Sequence, residues 1–131
     1  MCTDADRPIV ARGALRTIEY AVCLNGAVPA RDFIEELPQA ELSRLAALFQ
    51  RLADTGKIAD PRKFKRLEGK LYEFKRYQVR VGCFRIENRW ILTHGFIKQK
   101  DKWPRRELER AERIMREHLQ REEEQEEETC R

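Results

Sequence analysis

The stretch from residue 71 to residue 98 most constrains what this chain can become. It divides into three strand-like segments, 71–76, 78–86 and 90–98, each rich in β-branched and aromatic residues. The link at 87–89 is too short for anything but a turn, so the last two segments must run antiparallel as a hairpin. Alternation in the middle segment sets Val79, Val81 and Cys83 on one face, with Arg80, Gly82 and Phe84 on the other. In the last segment it sets Ile91 and Thr93 against Trp90, Leu92, His94 and Phe96. A three-stranded antiparallel sheet follows, and its apolar face needs helices to cover it.

Those helices are legible upstream and downstream. Pro29 opens a helical stretch with Phe33, Ile34 and Leu37 on one side, and Pro38 breaks it and starts a second. In the second, Leu42, Leu45, Ala46, Leu48, Phe49 and Leu52 fall at helical spacing, and Gly56 stands where a C-terminal cap belongs. Residues 17–24 read as a strand ended by Asn25-Gly26. Pro104 starts a final helix with an apolar stripe of Leu108, Ala111, Met115 and Leu119, which leaves His118 on its solvated side. The expected class is α+β: an N-terminal strand, a two-helix hairpin, a three-stranded antiparallel sheet and a C-terminal helix. The helices would lie on one face of the sheet and the other face would be available. A chain of 131 residues supports one core. We expect the domain at residues 14–119, a loose N-terminal arm at 1–13, and an acidic, frayed tail at 120–131.

Charge is divided along the chain. Residues 56–106 hold 16 Lys and Arg against 5 Asp and Glu, whereas residues 107–131 hold 5 against 10. A positive block of that density repels itself, and a polyanionic partner is the usual reason for one. A surface balanced in space by the acidic segments is the other reading. Cys2, Cys23, Cys83 and Cys130 form no closely spaced pair, so neither a metal site nor a cofactor is implied, and Cys23 and Cys83 read as small apolar residues. No apolar run is long enough to span a membrane and no leader pattern opens the chain, so the expected location is the cytoplasm, with no membrane partner.

No familiar catalytic motif is present. What the sequence does concentrate is cations: Lys63, Lys65 and Arg66 before the strands, Lys75 and Arg80 around a turn between two of them, and Lys98, Lys100 and Lys102 after the last. Arginine presents a planar fork that matches phosphate oxygens, and lysine a compact charge. Cleavage of RNA by its own 2′-hydroxyl needs a base, donors for the phosphate and an acid, and a crowded cationic site can depress one lysine far enough to act as the base. Arg80, facing away from Val79 and Val81, is the expected principal phosphate contact, with Lys75 and Lys98 adding charge. His94 is an alternative base or acid, unless it packs against Phe96 and Trp90. Spacing does not separate a site that cuts from a patch that only binds.

The blocks Gly69-Lys70-Leu71-Tyr72-Glu73-Phe74-Lys75, Val79-Arg80-Val81 and Leu92-Thr93-His94-Gly95-Phe96-Ile97-Lys98, followed by Pro104 and Ala111, resemble the RelE/HigB superfamily of toxins, closest to its phage-derived HigB-like branch. The resemblance implies a ribosome-dependent mRNA interferase that works without metal. It implies an antitoxin partner, expected to carry a helix-turn-helix, that holds the toxin inactive. It carries catalytic roles over to Arg80, Lys75, Lys98 and His94, while Lys63, Lys65, Arg66, Lys100 and Lys102 are expected RNA contacts because of their charge. Two departures stand out: Gln99 replaces the second lysine of the family's usual pair, and no tyrosine follows the last strand, which leaves Trp103 as the aromatic that could stack on a base. Two alternatives stay open, a ParE-like inhibitor of DNA gyrase and a prophage-derived module that binds RNA without cutting it. A further expectation is that the Glu-rich stretch 122–128 lies across the chain's own basic face.

Overall fold

The structure, a computed structural model, describes residues 7–100 and 102–129. In chain order the elements are β1 (Ile9–Arg12), β2 (Thr17–Tyr20), α1 (Pro29–Glu35), α2 (Gln39–Thr55), β3 (Phe64–Glu68), β4 (Leu71–Arg76), β5 (Val79–Ile86), β6 (Arg89–Ile97) and α3 (Arg105–Thr129). The class is α+β, but the three-stranded antiparallel sheet is overturned. One six-stranded sheet runs in the order β1-β2-β6-β5-β4-β3, and it is mixed, because β2 lies parallel to β6 while its other pairs are antiparallel.

The two unexpected strands have different causes. Ile9–Arg12, inside the segment read as a loose arm, is too short to show alternation, yet it pairs with β2 and packs on α2. Residues 64–68 read as part of a basic loop because Lys65 and Arg66 dominate them. They form the outer strand, where charged side chains face water and discourage further pairing. The two-helix hairpin is also corrected. Instead of packing chiefly on each other, α1 lies on β6, and α2 lies across β1, β2 and β4.

Both faces of the sheet are covered, so none is left available. On one side α1 and α2 bury Ile34, Leu45, Phe49 and Leu52 against Ile18, Phe74, Val81, Cys83 and Leu92. On the other, Phe84 and Ile91 are apolar too, and Ile114 of α3 packs over them with Ala21 and Cys23. Cys23 and Cys83 are buried and free, the latter thiol pushed well up by burial. Strict alternation fails in β6. Val81 faces Gly95 and Cys83 faces Leu92, so Thr93 and His94 together oppose Gly82 in a bulge. Trp90 and Leu92 stay with the α2 core, while His94 and Phe96 turn to the opposite face and meet Trp103.

The acidic tail is helical to Thr129, and its start is anchored. His118, expected in solvent, is only 3% exposed. Its Nδ1 accepts the Val22 N–H at 3.0 Å, which leaves Nε2–H to donate to Glu122 at 2.7 Å. Glu122 also accepts from Arg89, whose guanidinium binds buried Glu19 at 2.9 Å. The start of the 122–128 stretch is therefore docked at the Arg89 end of the sheet, away from Lys75 and Lys98.

This anchor gives the fold an acid limit. Burial pushes the Glu122 carboxyl up, but His118 and Arg89 outweigh it and bring it down from 4.5 to about 2. A depressed carboxyl stabilises the fold fully above the unfolded value and loses that contribution as pH falls through the folded one. The window for Glu122 is therefore about pH 4.5 to 2. His94 is held down from 6.5 to about 3 by burial, helped by Arg110 and Arg113, so its contribution fades over the interval from 6.5 down to about 3. Urea melts between pH 7 and 3 should show a two-part decline of roughly 1 kcal/mol per pH unit. His94→Gln should flatten the upper part and Glu122→Gln the lower. A wild-type curve that stays level down to pH 3 would remove both assignments.

Candidate nucleic-acid interface

Cations from three strands and from the segment after β6 converge at one end of the sheet. Lys75 on β4 and Arg80 on β5 are direct cross-strand partners, and Phe96 on β6 is the next residue in that row. Lys98 follows β6, its backbone N–H donating to Gln78 O at 2.8 Å, and Lys65 comes from β3. The Lys75 ammonium is part-buried and donates to Pro61 O at 3.3 Å. Burial lowers its pKa, and Lys65, Arg80 and Lys98 lower it further, against the opposing pull of Glu73.

Arg80 occupies a different environment from the one its alternation suggested. Facing away from Val79 and Val81 does not expose it, because this face is covered as well. The side chain is 5% exposed, with Nε at 3.3 Å from Glu73 and Nη1 donating to Tyr77 O at 2.6 Å and Val79 O at 2.9 Å. Glu73, 3% exposed, also accepts the Trp103 indole N–H at 3.1 Å. One inward glutamate thus holds both the strand arginine and the segment that leads into α3.

Trp103 is half-buried and fully engaged. Its ring meets Phe96 and His94 edge-on, with centroids 4.7 and 5.8 Å away. It lies over Gly82, where a Cβ would come within 3.0 Å of the indole and 2.6 Å of Thr93 Oγ1. Gly82→Ala should therefore cost about 1–3 kcal/mol through overpacking. It should also shift tryptophan emission to the red as the indole lifts away; unchanged stability and emission would contradict this packing.

His94 lies beneath Trp103, buried, with Nε2 3.3 Å from Glu107 and Nδ1 3.3 Å from Thr93 Oγ1. It stacks on Phe96 as foreseen, but Trp103 rather than Trp90 is its other ring neighbour. A neutral, enclosed imidazole is poorly placed to exchange protons with a bound substrate.

The other cations line three cavities, one of which also takes in Lys65. Lys65, Arg66 and Lys102 border a cavity of about 220 Å³ that Glu73 and Trp103 close from behind. Lys100 and Lys102 border another of about 390 Å³ beside Trp103 and Arg106. Lys63 turns to the α2 side, where it joins Arg44, Arg51 and Arg76. Sequence reasoning missed those three arginines and Glu73. The signal for Glu73 was a carboxylate between Tyr72 and Phe74 in a strand; the arginines gave none, because α2 and β4 are distant in the chain. Among the described residues, no group of three or more His, Cys, Asp or Glu could hold a metal ion, and no helix is long and apolar enough to cross a membrane.

No curated protein matches the chain. The family model described as phage derived protein Gp49-like (DUF891) matches residues 32–116. That span takes in most of α1, all of α2, every strand from β3 to β6 and the first half of α3. It covers more than half of the chain and contains the Lys75, Arg80 and Lys98 cluster, so the chain belongs to the phage-derived Gp49-like family, which is associated with the toxins of toxin–antitoxin systems.

Proposed function

We infer that this chain is the toxin of a toxin–antitoxin module and cuts mRNA on the translating ribosome. The observation that carries this reading is the placement of Lys75 beside Lys65, Arg80 and Lys98 at the rim of the sheet, where burial first, and then these cations, lower the pKa of its amine. A lysine shifted in that direction is a better base near neutral pH. In the step we assign, the neutral Lys75 Nζ takes the proton of the ribose 2′-hydroxyl. The 2′-oxygen then bonds to the adjacent phosphorus and the P–O5′ bond breaks. The Lys98 ammonium protonates the departing 5′-oxygen, leaving a 2′,3′-cyclic phosphate and a 5′-hydroxyl. Lys65 balances charge on the phosphate. Arg80, already bonded to Glu73 and the β4–β5 turn, acts as a positioning residue whose charge helps depress Lys75.

The family association supports an antitoxin partner. We assign it an acidic or amphipathic segment that lies across the cationic rim, and a helix-turn-helix for its own DNA contacts. Induced expression in a bacterium followed by mapping of mRNA 5′ ends tests the main reading: new ends should appear within translated codons and carry 5′-hydroxyls. Equal cutting of free RNA by the purified protein would refute the dependence on the ribosome. Inhibited supercoiling with intact mRNA would select the gyrase alternative instead.

A further inference from the structure

The groove between α2 and β4 carries four cations and no carboxylate. It encloses about 240 Å³ and is lined by Arg44, Ala47, Leu48, Arg51, Lys63 and Arg76. Arg76 Nε is buried there without a hydrogen-bond partner, a costly state for a guanidinium nitrogen that an incoming acceptor would relieve. Beside the groove, Tyr77 projects from the β4–β5 turn at a backbone φ of 53° and is 65% exposed. The guanidinium carbons of Arg44 and Arg76 lie 5.3 and 4.7 Å from its ring centroid. Arg44 spends part of its charge on Glu41 at 3.3 Å; Arg51 and Arg76 have no such ion pair among the described contacts.

We propose that this groove is a second seat for single-stranded RNA, taking a backbone phosphate among Arg51, Lys63 and Arg76 while Tyr77 stacks on the neighbouring base. The proposal rests on the RNA reading above and gives the strand a path. Lys75 and Arg76 are successive residues of β4 and so face opposite sides of the sheet, and Lys98 is tied to Gln78 across the same turn at 2.8 Å. Tyr77, at the tip of that turn, stands between the Lys75 and Lys98 rim and the arginine groove. A strand passing over it meets charge, then an aromatic ring, then charge, which is how sequence-tolerant single-strand binders are built.

Anisotropy of a labelled oligouridine of about ten nucleotides, titrated over a range of salt, tests the proposal. Tyr77→Ala should weaken binding about tenfold and Tyr77→Phe hardly at all, because stacking needs the ring and not the hydroxyl. Arg51→Ala combined with Arg76→Ala should reduce the salt slope by about 0.7, the value for one phosphate contact on a single strand. Arg116→Ala removes an exposed cation on α3 and should leave the slope nearly unchanged. Equal losses from Arg116→Ala and Arg51→Ala would mean a diffuse field and overturn the seat. So would displacement of the oligonucleotide by a glutamate decamer as readily as by unlabelled oligouridine, which would make the groove a seat for an acidic peptide. These outcomes are independent of cleavage: RNA bound in the groove without any cut on the ribosome would refute only the nuclease reading, and cleavage with unaltered binding by the groove variants would refute only this one.

Discussion

Replacing Glu73 with alanine should destabilise the protein by about 3–5 kcal/mol, the usual result of leaving a buried charge without its partner. Arg80 would keep its two carbonyl acceptors but lose the only carboxylate among its described contacts, and Trp103 would lose the acceptor for its indole N–H. At this chain length that corresponds to a fall in Tm of roughly 10–20 °C. The pair itself is not expected to be worth so much. Glu73→Leu combined with Arg80→Met removes both charges and should recover most of the loss, since apolar replacements of buried ion pairs are often neutral or better. Urea unfolding of the three variants decides the matter. If the double variant is as unstable as Glu73→Ala, the arrangement depends on more than the compensation of two charges.

Lys75→Ala should reduce mRNA cleavage on translating ribosomes by about 10²–10⁴-fold, the range for loss of a positioned proton-transfer group, with RNA affinity nearly kept. Lys102→Ala should leave the cleavage rate within a few-fold of wild type while weakening RNA binding and lowering its salt slope by about 1. A lysine base also predicts a rate that rises with pH along a limb set by a depressed amine pKa, and Lys75→Arg, which keeps the charge but cannot deprotonate, should lose that limb. Rates that fall only through weaker binding would make the rim a docking patch. Arg80→Ala is expected to show itself first as lost stability, because its donors are committed to Glu73 and the turn.

How much of this was legible in the sequence depends on the range of the forces involved. The helices followed from local periodicity and from Pro29, Pro38 and Pro104, and the β4–β6 segments from alternation and short connections. β1 and β3 were not legible because neither has a strong pattern of its own; each exists through the partner it pairs with. The bulge at Thr93 and His94 defeated simple alternation and moved His94 to the other face. Of the expected site, the gathering of Lys75 and Lys98 could be read from three consecutive strands, β4, β5 and β6, that had to lie side by side. The burial of Arg80 could not, because it depends on Trp103 and α3 covering a face that pattern alone left open. His118 and Glu122 were misjudged for the same reason: their partners, Val22 and Arg89, belong to distant parts of the chain.

The parallel seam between β2 and β6 has a consequence for how the molecule comes into being. β2 is made early, yet its neighbour in the sheet is the last strand to be synthesised, and Glu19 meets Arg89 across a separation of 70 residues. Until β6 emerges, the β1–β2 hairpin has an open edge and Ile18 has no Trp90 beside it. Contacts of such long range are slow to form, and a nascent chain lacking them cannot close its sheet. The Lys98 side of the rim is completed later still, since it follows β6. The assembled cationic end is therefore among the last features of this fold to form, after the long-range β2–β6 pairing is in place.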